Sequence, residues 1–425
     1  MSAFDQVIGY ATTKQELLQI CDMIKNKKYY EELGAKLPKG ILLYGDPGLG
    51  KTLMAKCFIE ESGLPSYVVR RTKSSGELLE EIAAAFKKAE EIQSASIVFL
   101  DDMDKFENED YGHCDAEAYV AIQAAIDSVY DREVFVLATA NDLYKLPESL
   151  KRAGRFDRKI ELLRPTEKDA YDIIKHYLKD KRVSDQVNLE DISNMITYSS
   201  CAELETVLNE GAVRAAYLRH DSITMDDLVE AVLKKEYKAQ DNLMQISEEE
   251  LKRIAQHEAG HLVVSEVLSP GSVGFASIRA AGSDSTGGFV RQCKKPANIT
   301  HQILVALGGK AAEELYYSNR YANGSKKDIS VAIEHIRNAI CDLAACGVGL
   351  LDVETRNSPP MSDNLNSRNE SMVQAELERY LWWTKTILFK NKDFLEKVGS
   401  DLLEKETLLY SDIQRIRESV QITVV

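Results

Sequence analysis

The sequence predicts an α/β domain with a phosphate-binding loop, then a helical segment, and then a mainly helical domain that carries a metal site. Two motifs support this order: a glycine-rich loop between an apolar strand and a helix, and two histidines four residues apart in a long apolar run. Short apolar runs give way to helical periodicity near residue 164. This change and a polar segment at 238–242, which we interpret as a junction, predict domains at residues 1–164, 165–238 and 239–425.

Composition excludes several classes of partner. The chain has 425 residues, of which 44% are hydrophobic and 28% charged, as in ordinary globular proteins. Its net charge of −15 disfavours nucleic acid and anionic membrane surfaces as main partners. Seven cysteines without a Cys-x-x-Cys pair are typical of reduced thiols. No apolar run approaches about 18 residues and the N-terminus lacks signal-peptide features, so we expect a cytoplasmic protein without a membrane span.

The first motif is a P-loop that follows the apolar run 41–44 and opens a helix. Its glycines allow backbone N–H groups to surround phosphate oxygens. We expect Lys51 to reach the β and γ phosphates and the Thr52 hydroxyl to bind Mg²⁺. The predicted nucleotide-binding residues here are Asp46, Pro47, Gly48, Leu49, Gly50, Lys51, Thr52 and Leu53.

Polar residues follow two further strand candidates. Asp101 and Asp102 end the apolar run 96–100, where P-loop ATPases keep a Mg²⁺ ligand and the residue that polarises the attacking water, and we assign the two roles in that order. Asn141 ends the run 134–140 and is suited to contact the γ-phosphate or the water, or to form a turn. A cluster of arginines follows at 152–158, and such a cluster is also typical of a solvated surface.

The second motif is His257-Glu258-Ala259-Gly260-His261. Ser247 and Glu250 form a capping-box pattern, so we predict a helix from about residue 247 to 268. The spacing of i and i+4 places both imidazoles on one helix face, suited to zinc, with Glu258 as the base.

A catalytic zinc usually has three protein ligands, and spacing alone does not identify the third. The candidates from the residues are acidic side chains and one histidine that follow the motif. These are Asp284, Glu313, Glu314, Glu334 and His335.

Taken together, these motifs resemble the FtsH-type ATP-dependent zinc metalloproteases, whose ATPase belongs to the AAA class. The resemblance rests on the P-loop, Asp101-Asp102, Ala140-Asn141, the segment 154–158 and the zinc motif, and it covers nearly the whole chain. It implies an α/β P-loop AAA ATPase core with a helical lid, followed by a mainly α-helical zinc metallopeptidase domain. It also implies ATP, Mg²⁺ and Zn²⁺ as cofactors, protein or peptide substrates, and a homo-hexamer.

The resemblance also implies individual roles. Ile8 and Gly9 lie in a segment similar to the one that lines the adenine pocket, and Asn141 matches the γ-phosphate sensor. Arg152 and Arg155 match arginine fingers that act on a neighbouring subunit's nucleotide.

For the third zinc ligand the resemblance indicates Asp328, in a Gly-x-x-x-Asp segment that opens a helix. The local pattern has a second interpretation, because Ser325 and Asp328 also form an N-cap with an acidic residue three positions later. We favour the ligand.

Two departures from the family pattern concern the coupling of ATP to proteolysis. Asp102 stands where the family has Glu, and its shorter side chain draws the carboxylate back. Residues 70–79, in the position of the family's aromatic pore loop, contain no aromatic side chain. The favoured hypothesis is an ATP-dependent zinc endopeptidase that degrades loosely folded proteins. The alternative is a nucleotide-controlled ring that binds or remodels partners with weak proteolysis.

The metal-binding half yields further structural predictions. Short strands are expected at 276–279 and 289–291, one of them an edge where a substrate peptide could add as a strand. A single helix is expected over 299–317. Trp382 and Trp383 are expected to pack in the core.

Overall fold

The computed structural model describes residues 2–71, 75–92, 94–106, 116–239, 246–280, 287–317, 325–350 and 363–424. Residues 240–242 of the predicted junction, residues 282–286 with the ligand candidate Asp284, and residues 323–324 before the helix that carries Asp328 lie outside these ranges. The chain forms two compact units, the first comprising Met1–Asp180 with Tyr198–Leu208 and the second comprising Lys181–Thr197 with Asn209–Val425.

The first unit alternates helices with parallel strands. Its elements are α1 (Ala11–Lys25), α2 (Lys27–Glu32), β1 (Gly40–Tyr44), α3 (Lys51–Ser62), β2 (Ser66–Arg70), α4 (Ser75–Glu91), β3 (Ser96–Asp101), α5 (Ala116–Ser128), β4 (Val134–Ala140), β5 (Arg158–Glu161) and α6 (Glu167–Leu178). Helix α6 starts as the sequence predicts, because the Thr166 side chain accepts a hydrogen bond from the Asp169 backbone N–H.

The sheet of the first unit brings the nucleotide motifs to one edge. Its strand order is β2-β3-β4-β1-β5, and all neighbours are parallel. Strands β3 and β4 are buried along their whole length, which explains their continuous apolar sequences. Since β1, β3 and β4 end at the same edge, the P-loop, Asp101 and Asn141 come together there.

The second unit is mainly helical. Its elements are α7 (Leu189–Met195), α9 (Met225–Lys235), α10 (Glu248–Leu268), β6 (Val273–Ser277), β7 (Phe289–Gln292), α11 (Ile299–Ala306), α12 (Gly308–Tyr316), α13 (Lys326–Cys341), α14 (Asp363–Lys390), α15 (Lys392–Lys405), β8 (Thr407–Leu409) and α16 (Tyr410–Ser419). Helix α8 (Cys201–Tyr217) has residues in each unit. The strands form an antiparallel sheet of order β7-β6-β8. The apolar face of α10 lies in the core of this unit.

Two element predictions in this unit are wrong in detail. The helix expected over 299–317 is two helices, because the chain breaks at Leu307, whose ψ is −3°. The break lets Gly308 approach α10 closely: a Cβ on Gly260 would lie 2.3 Å from the Gly308 carbonyl oxygen. The strand expected at 276–279 runs from Val273 to Ser277 instead.

Helix α14 also differs from expectation. Trp383 stacks on Tyr380, with ring centroids 6.2 Å apart, and packs against the core. Trp382 is instead 69% exposed, because adjacent residues on a helix point about 100° apart. Among the described residues, no helix combines the length and apolar character needed to cross a bilayer.

A buried carboxylate fixes the connection between α8 and α9. Asp227 is fully buried and accepts hydrogen bonds from Arg214 at 2.5 Å, from the Thr224 hydroxyl at 2.7 Å and from the Thr224 backbone N–H at 3.0 Å. His220 Nδ1 lies 2.9 Å from the same carboxylate. Burial alone would raise the pKa of Asp227, but these partners outweigh it and lower the pKa to about 2.

The folded state stabilises the ionised carboxylate of Asp227, as its lowered pKa indicates. Because an amide cannot carry that charge, we expect Asp227→Asn to lower the free energy of unfolding of the second unit by about 2 kcal/mol at pH 7. A carboxyl whose pKa is lower in the folded state stabilises the fold at pH values above its pKa in the unfolded chain, which is near 3.9. This contribution to stability is lost as the pH falls towards about 2. Urea unfolding at pH 7 and at pH 3 measures both effects. Asp226→Asn, on an exposed neighbour, is the matched control, and an equal loss in that variant would contradict the prediction.

Candidate metal centre and nucleotide site

Helix α10 positions the two histidines and the glutamate between them. Ser247 caps the helix by accepting from the Glu250 backbone N–H at 3.3 Å, as its sequence predicts. One turn of helix separates the imidazoles, and their Nε2 atoms lie 3.2 Å apart.

Asp328, in the first turn of α13, completes a group of three. Its Oδ2 lies 3.0 Å from His257 Nε2 and 3.4 Å from His261 Nε2. Two metal–ligand bonds of about 2.1 Å at a tetrahedral angle separate ligand atoms by about 3.4 Å, so these distances fit one zinc ion. Among the described residues this is the single cluster suited to hold a metal. The Ser325 hydroxyl forms no helix-capping hydrogen bond, which favours the ligand over the cap for Asp328.

The other nitrogen of each imidazole is fixed by a neighbouring oxygen. His257 Nδ1 donates to Glu313 at 2.8 Å, and His261 Nδ1 donates to the Val305 carbonyl at 2.7 Å. Arg253 also contacts Glu313, at 3.4 Å. Both Nε2 atoms are thereby directed at the shared position, as in most histidine–metal sites. Glu313, one of the ligand candidates from the sequence, orients a ligand instead. Glu314 pairs with Lys310 and Lys385.

The electrostatics of this group favour a cation. Burial opposes a charge on His257, but Asp328 and Glu313 outweigh it and raise its pKa to about 10. The same histidines hold the pKa of Asp328 far below its usual range despite burial. Two imidazole nitrogens and one carboxylate oxygen are typical ligands of a catalytic zinc ion, which keeps its fourth position for water or substrate.

Glu258 lies beside these ligands in a buried position. Burial raises the pKa of its carboxyl, while His257 and His261 lower it to a lesser extent. Gly288, the residue before β7, packs directly against it: a Cβ at 288 would lie 2.7 Å from Glu258 Cγ. Glu258 therefore lies next to the start of β7, which among the described residues pairs with β6 alone and is an edge strand.

In the first unit, the Mg²⁺ and phosphate residues converge at the end of the sheet. Lys51 donates to the carbonyls of Gly45 and Asp46 at 2.8 and 2.7 Å. Thr52 donates to Asp101 at 2.9 Å, and Thr139 of β4 donates to the same oxygen at 2.7 Å. This brings the hydroxyl and carboxylate that usually hold Mg²⁺ into direct contact.

The rest of the phosphate loop occupies several environments. Gly50 caps α3 with φ of 83°, a conformation that favours glycine. Gly48, with φ of 78°, accepts from the Ala202 backbone N–H at 3.1 Å. Leu49 is buried, while Pro47 and Leu53 are exposed.

Asp102 is engaged by basic side chains. Its Oδ2 lies 2.7 Å from Lys105 Nζ and 3.9 Å from Arg70 Nη2. Arg70 is closer to Asp101, at 3.2 Å. Asp102 adopts φ of 56°, a left-handed conformation that Asp tolerates better than most residues, and its backbone N–H donates to the Thr139 hydroxyl at 2.8 Å.

The sensor and finger candidates differ in their surroundings. Asn141 donates to Asp104 through its backbone N–H at 2.9 Å and through Nδ2 at 3.1 Å. Arg155 forms a bidentate pair with Asp127, at 3.0 and 2.8 Å, whereas Arg152 is exposed.

The adenine-pocket candidates lie in the same unit. Ile8 is half-buried. Gly9 has φ of 73°, and a Cβ there would lie 2.6 Å from the Asp169 carboxyl, so both conformation and space require glycine.

Comparison with known proteins agrees with both sites. Residues 41–164 match the model of the ATPase family associated with various cellular activities (AAA), and residues 244–416 match peptidase family M41. The chain is similar to the FtsH proteins over nearly its whole length. It is 30% identical to the ATP-dependent zinc metalloprotease FtsH of Streptobacillus moniliformis, over 97% of this chain and 64% of the relative. The FtsH of Mycoplasma genitalium is 29% identical over 99% of this chain and 63% of its own length. The chain thus spans less than two thirds of the length of these relatives.

The sequence did not predict several residues that orient the two sites. Thr139 carries a detectable signal, since it is a polar residue in a strand that is otherwise apolar. Lys105 and Val305 carry none, because their roles depend on tertiary contacts and, for Val305, on a backbone carbonyl.

We expect Glu313→Gln to weaken zinc binding about 10- to 100-fold, because the amide no longer accepts a charge-assisted hydrogen bond from His257. Asp328→Ala, which removes a ligand, is expected to weaken binding further. Competition with a chelator of known affinity measures both. Glu314→Gln, one residue along α12, is the matched control, and equal losses in the two glutamine variants would contradict the assignment.

Proposed function

We propose that this chain is an ATP-dependent zinc metalloendopeptidase that degrades loosely folded proteins. The observation that carries the proposal is the convergence of His257, His261 and Asp328 on one position beside the buried carboxylate of Glu258. The phosphate loop with Thr52 and Asp101 supports the ATP-dependent part. The FtsH relatives are named ATP-dependent zinc metalloproteases.

The proposed hydrolysis uses Glu258 as the base and then as the acid. A bound zinc would polarise the scissile carbonyl and make water more acidic. Glu258 removes a proton from the attacking water as the water oxygen bonds to the carbonyl carbon. The same carboxyl then gives this proton to the leaving amine as the C–N bond breaks. The raised pKa of Glu258 suits a group that both accepts and returns a proton.

We propose that β7 binds the substrate backbone. It is an edge strand, and Gly288 places its beginning against Glu258. An extended peptide that adds to such an edge is read mainly through its backbone, which suits unfolded chains of varied sequence.

In the nucleotide site, we propose that Ile8 and Gly9 contact the adenine, that residues 46–53 bind the phosphates, and that Asp101 holds Mg²⁺ with Thr52. Asp102 polarises the attacking water and Asn141 senses the γ-phosphate. The Thr52 hydroxyl lies 2.9 Å from Asp101 Oδ1 at the end of the sheet, which supports the proposed Mg²⁺ ligands.

We also propose a homo-hexamer in which Arg152 and Arg155 reach the nucleotide of the next subunit, with an ATPase core at 1–164, a lid at 165–238 and a peptidase domain at 239–425. The exposure of Arg152 is consistent with a role in trans. A cytoplasmic location suits the reduced thiols of Cys21 and Cys57.

Glu258→Gln is expected to retain zinc and lose at least about 1,000-fold in kcat for cleavage of an unfolded protein, because the amide cannot accept the water's proton. Zinc content and chelator-sensitive cleavage are measured together. Glu249→Gln, exposed in the first turn of the same helix, serves as the control. Cleavage by Glu258→Gln at the wild-type rate would refute the mechanism.

Cleavage of an unfolded protein should be fastest with ATP, slower with a non-hydrolysable analogue and slowest without nucleotide. Asp102→Asn is expected to bind ATP and lose most hydrolysis, because the amide is a poor base. Asp131→Asn, exposed in the same unit, controls for charge. Equal cleavage under all three conditions would contradict the coupling to ATP but support the peptidase activity. Absence of cleavage under all three conditions would favour a ring that remodels its partners.

Mixed rings test whether the arginines act in trans. Lys51→Ala removes the phosphate-binding ammonium, and Arg152→Ala removes the finger, so neither variant alone should hydrolyse ATP at more than about 1% of the wild-type rate. A mixture contains interfaces with both residues intact and should regain activity, measured after subunit exchange and alongside native mass. An inactive mixture of confirmed mixed rings would contradict action in trans.

A further inference from the structure

Three aromatic rings pack together at the start of the edge strand β7. Tyr237 stacks on Phe289 with ring centroids 5.0 Å apart and planes 26° apart. Both rings meet Phe275 edge-on, at 5.0 Å and 5.5 Å respectively. Phe275 is fully buried in β6, and Phe289 is the first residue of β7. The stack therefore fixes the residue at which the edge strand begins.

The position of Phe289 determines how β7 meets the catalytic base. Phe289 pairs with Ser277 of β6. The preceding residue, Gly288, is in close contact with both Ser277 and Glu258, since a Cβ at 288 would lie 2.3 Å from the Ser277 carbonyl oxygen and 2.7 Å from Glu258 Cγ. With so little free space, any displacement of Phe289 changes the distance between the strand and Glu258.

The hydroxyl of Tyr237 is held by a different element. It donates to the carbonyl of Met195, the last residue of α7, at 2.6 Å. Burial raises the pKa of Tyr237 to about 12, which keeps the hydroxyl protonated as a donor. One side chain thus bridges α7 and the substrate edge.

Helix α7 is itself anchored within the second unit. Asp191 is buried and accepts from the Ser411 backbone N–H at 2.8 Å and from its hydroxyl at 2.7 Å. Asn194 lies against β6, because a Cβ on Gly274 would be 2.4 Å from its carbonyl oxygen. The carbonyl that receives the Tyr237 hydroxyl therefore belongs to a fixed support.

We propose that Tyr237 is a positioning residue of the peptidase, which holds the substrate-binding edge in register with Glu258 by stacking on Phe289 and anchoring to α7. The inference rests on the proposed peptidase function and extends it to a residue of the segment predicted as the lid. Tyr237 binds no substrate itself. Its removal releases the edge strand and leaves the zinc ligands and the base in place.

The test compares Tyr237→Ala and Tyr237→Phe in the full chain loaded with zinc. Tyr237→Ala is expected to raise KM for an unstructured reporter peptide about ten-fold with kcat within about two-fold, because binding to the edge is lost while the chemistry is kept. Tyr237→Phe retains the stack and should restore KM to within about three-fold of wild type. Should Tyr237→Ala fail to retain zinc or helical content, Tyr237→Leu replaces it with the same expectation.

Tyr316→Phe is the matched control. Its hydroxyl is buried in the same unit and has no hydrogen-bond partner among the described residues, so its loss should leave KM unchanged. An unchanged KM in Tyr237→Ala would overturn the inference. So would a rise in KM for Tyr316→Phe equal to the rise in Tyr237→Ala.

Hydrogen exchange separates this inference from the peptidase proposal. In Tyr237→Ala the amides of residues 289–292 should exchange at least about ten-fold faster than in wild type, whereas those of α10 should not change. If wild-type protein cleaves no peptide, the peptidase proposal fails and this measurement decides the positional role alone. Unchanged exchange at 289–292 would then overturn it.

Discussion

The metal centre depends on the close approach of α10 and α12 at glycine. A Cβ on Gly260 would lie 2.3 Å from the Gly308 carbonyl oxygen, and one on Gly309 would lie 2.4 Å from His257 Nε2. Because no side chain intervenes, Glu313 of α12 reaches His257 at 2.8 Å and fixes its ring. The glycines thus have an electrostatic consequence, since they allow a buried carboxylate to orient a metal ligand.

The nucleotide site is held by a comparable network in which strand ends meet. Asp101 accepts from Thr52 of α3 and Thr139 of β4, so three elements share one carboxylate oxygen. Its neighbour Asp102 pairs instead with Lys105, a surface lysine that is 61% exposed. An exposed ion pair contributes little to stability, and a terminal phosphate would compete with Asp102 for the same ammonium. The carboxylate of Asp102 is therefore available to change partners.

The sequence was sufficient for those parts of each site that are local. The i, i+4 spacing determined the pair His257 and His261, and the strand–loop–helix pattern around Lys51 determined the phosphate loop. The third ligand was left open by spacing, since Asp328 is 67 residues beyond His261 and reaches it only through packing of α13. The family resemblance indicated Asp328 where local patterns did not. The sequence did not predict the break between α11 and α12, because the break depends on the close contact of Gly308 with α10.

The domain boundary predicted from the sequence differs from the boundary between the two compact units of the structure. Composition places a boundary at 238, before residues that read as a polar junction. Packing instead groups α7 and α9 with the second unit, which holds the metal centre. Asp191 of α7 accepts a hydrogen bond from Ser411, and Tyr237 stacks on Phe289. Glu230 of α9 forms a salt bridge of 2.7 Å with Arg279. Asp191 is buried, and a hydrogen bond to a charged group contributes about 1.5 to 3 kcal/mol to stability. Because Tyr237 links α7 to Phe289, a displacement of α7 would also displace the edge strand that we propose binds substrate.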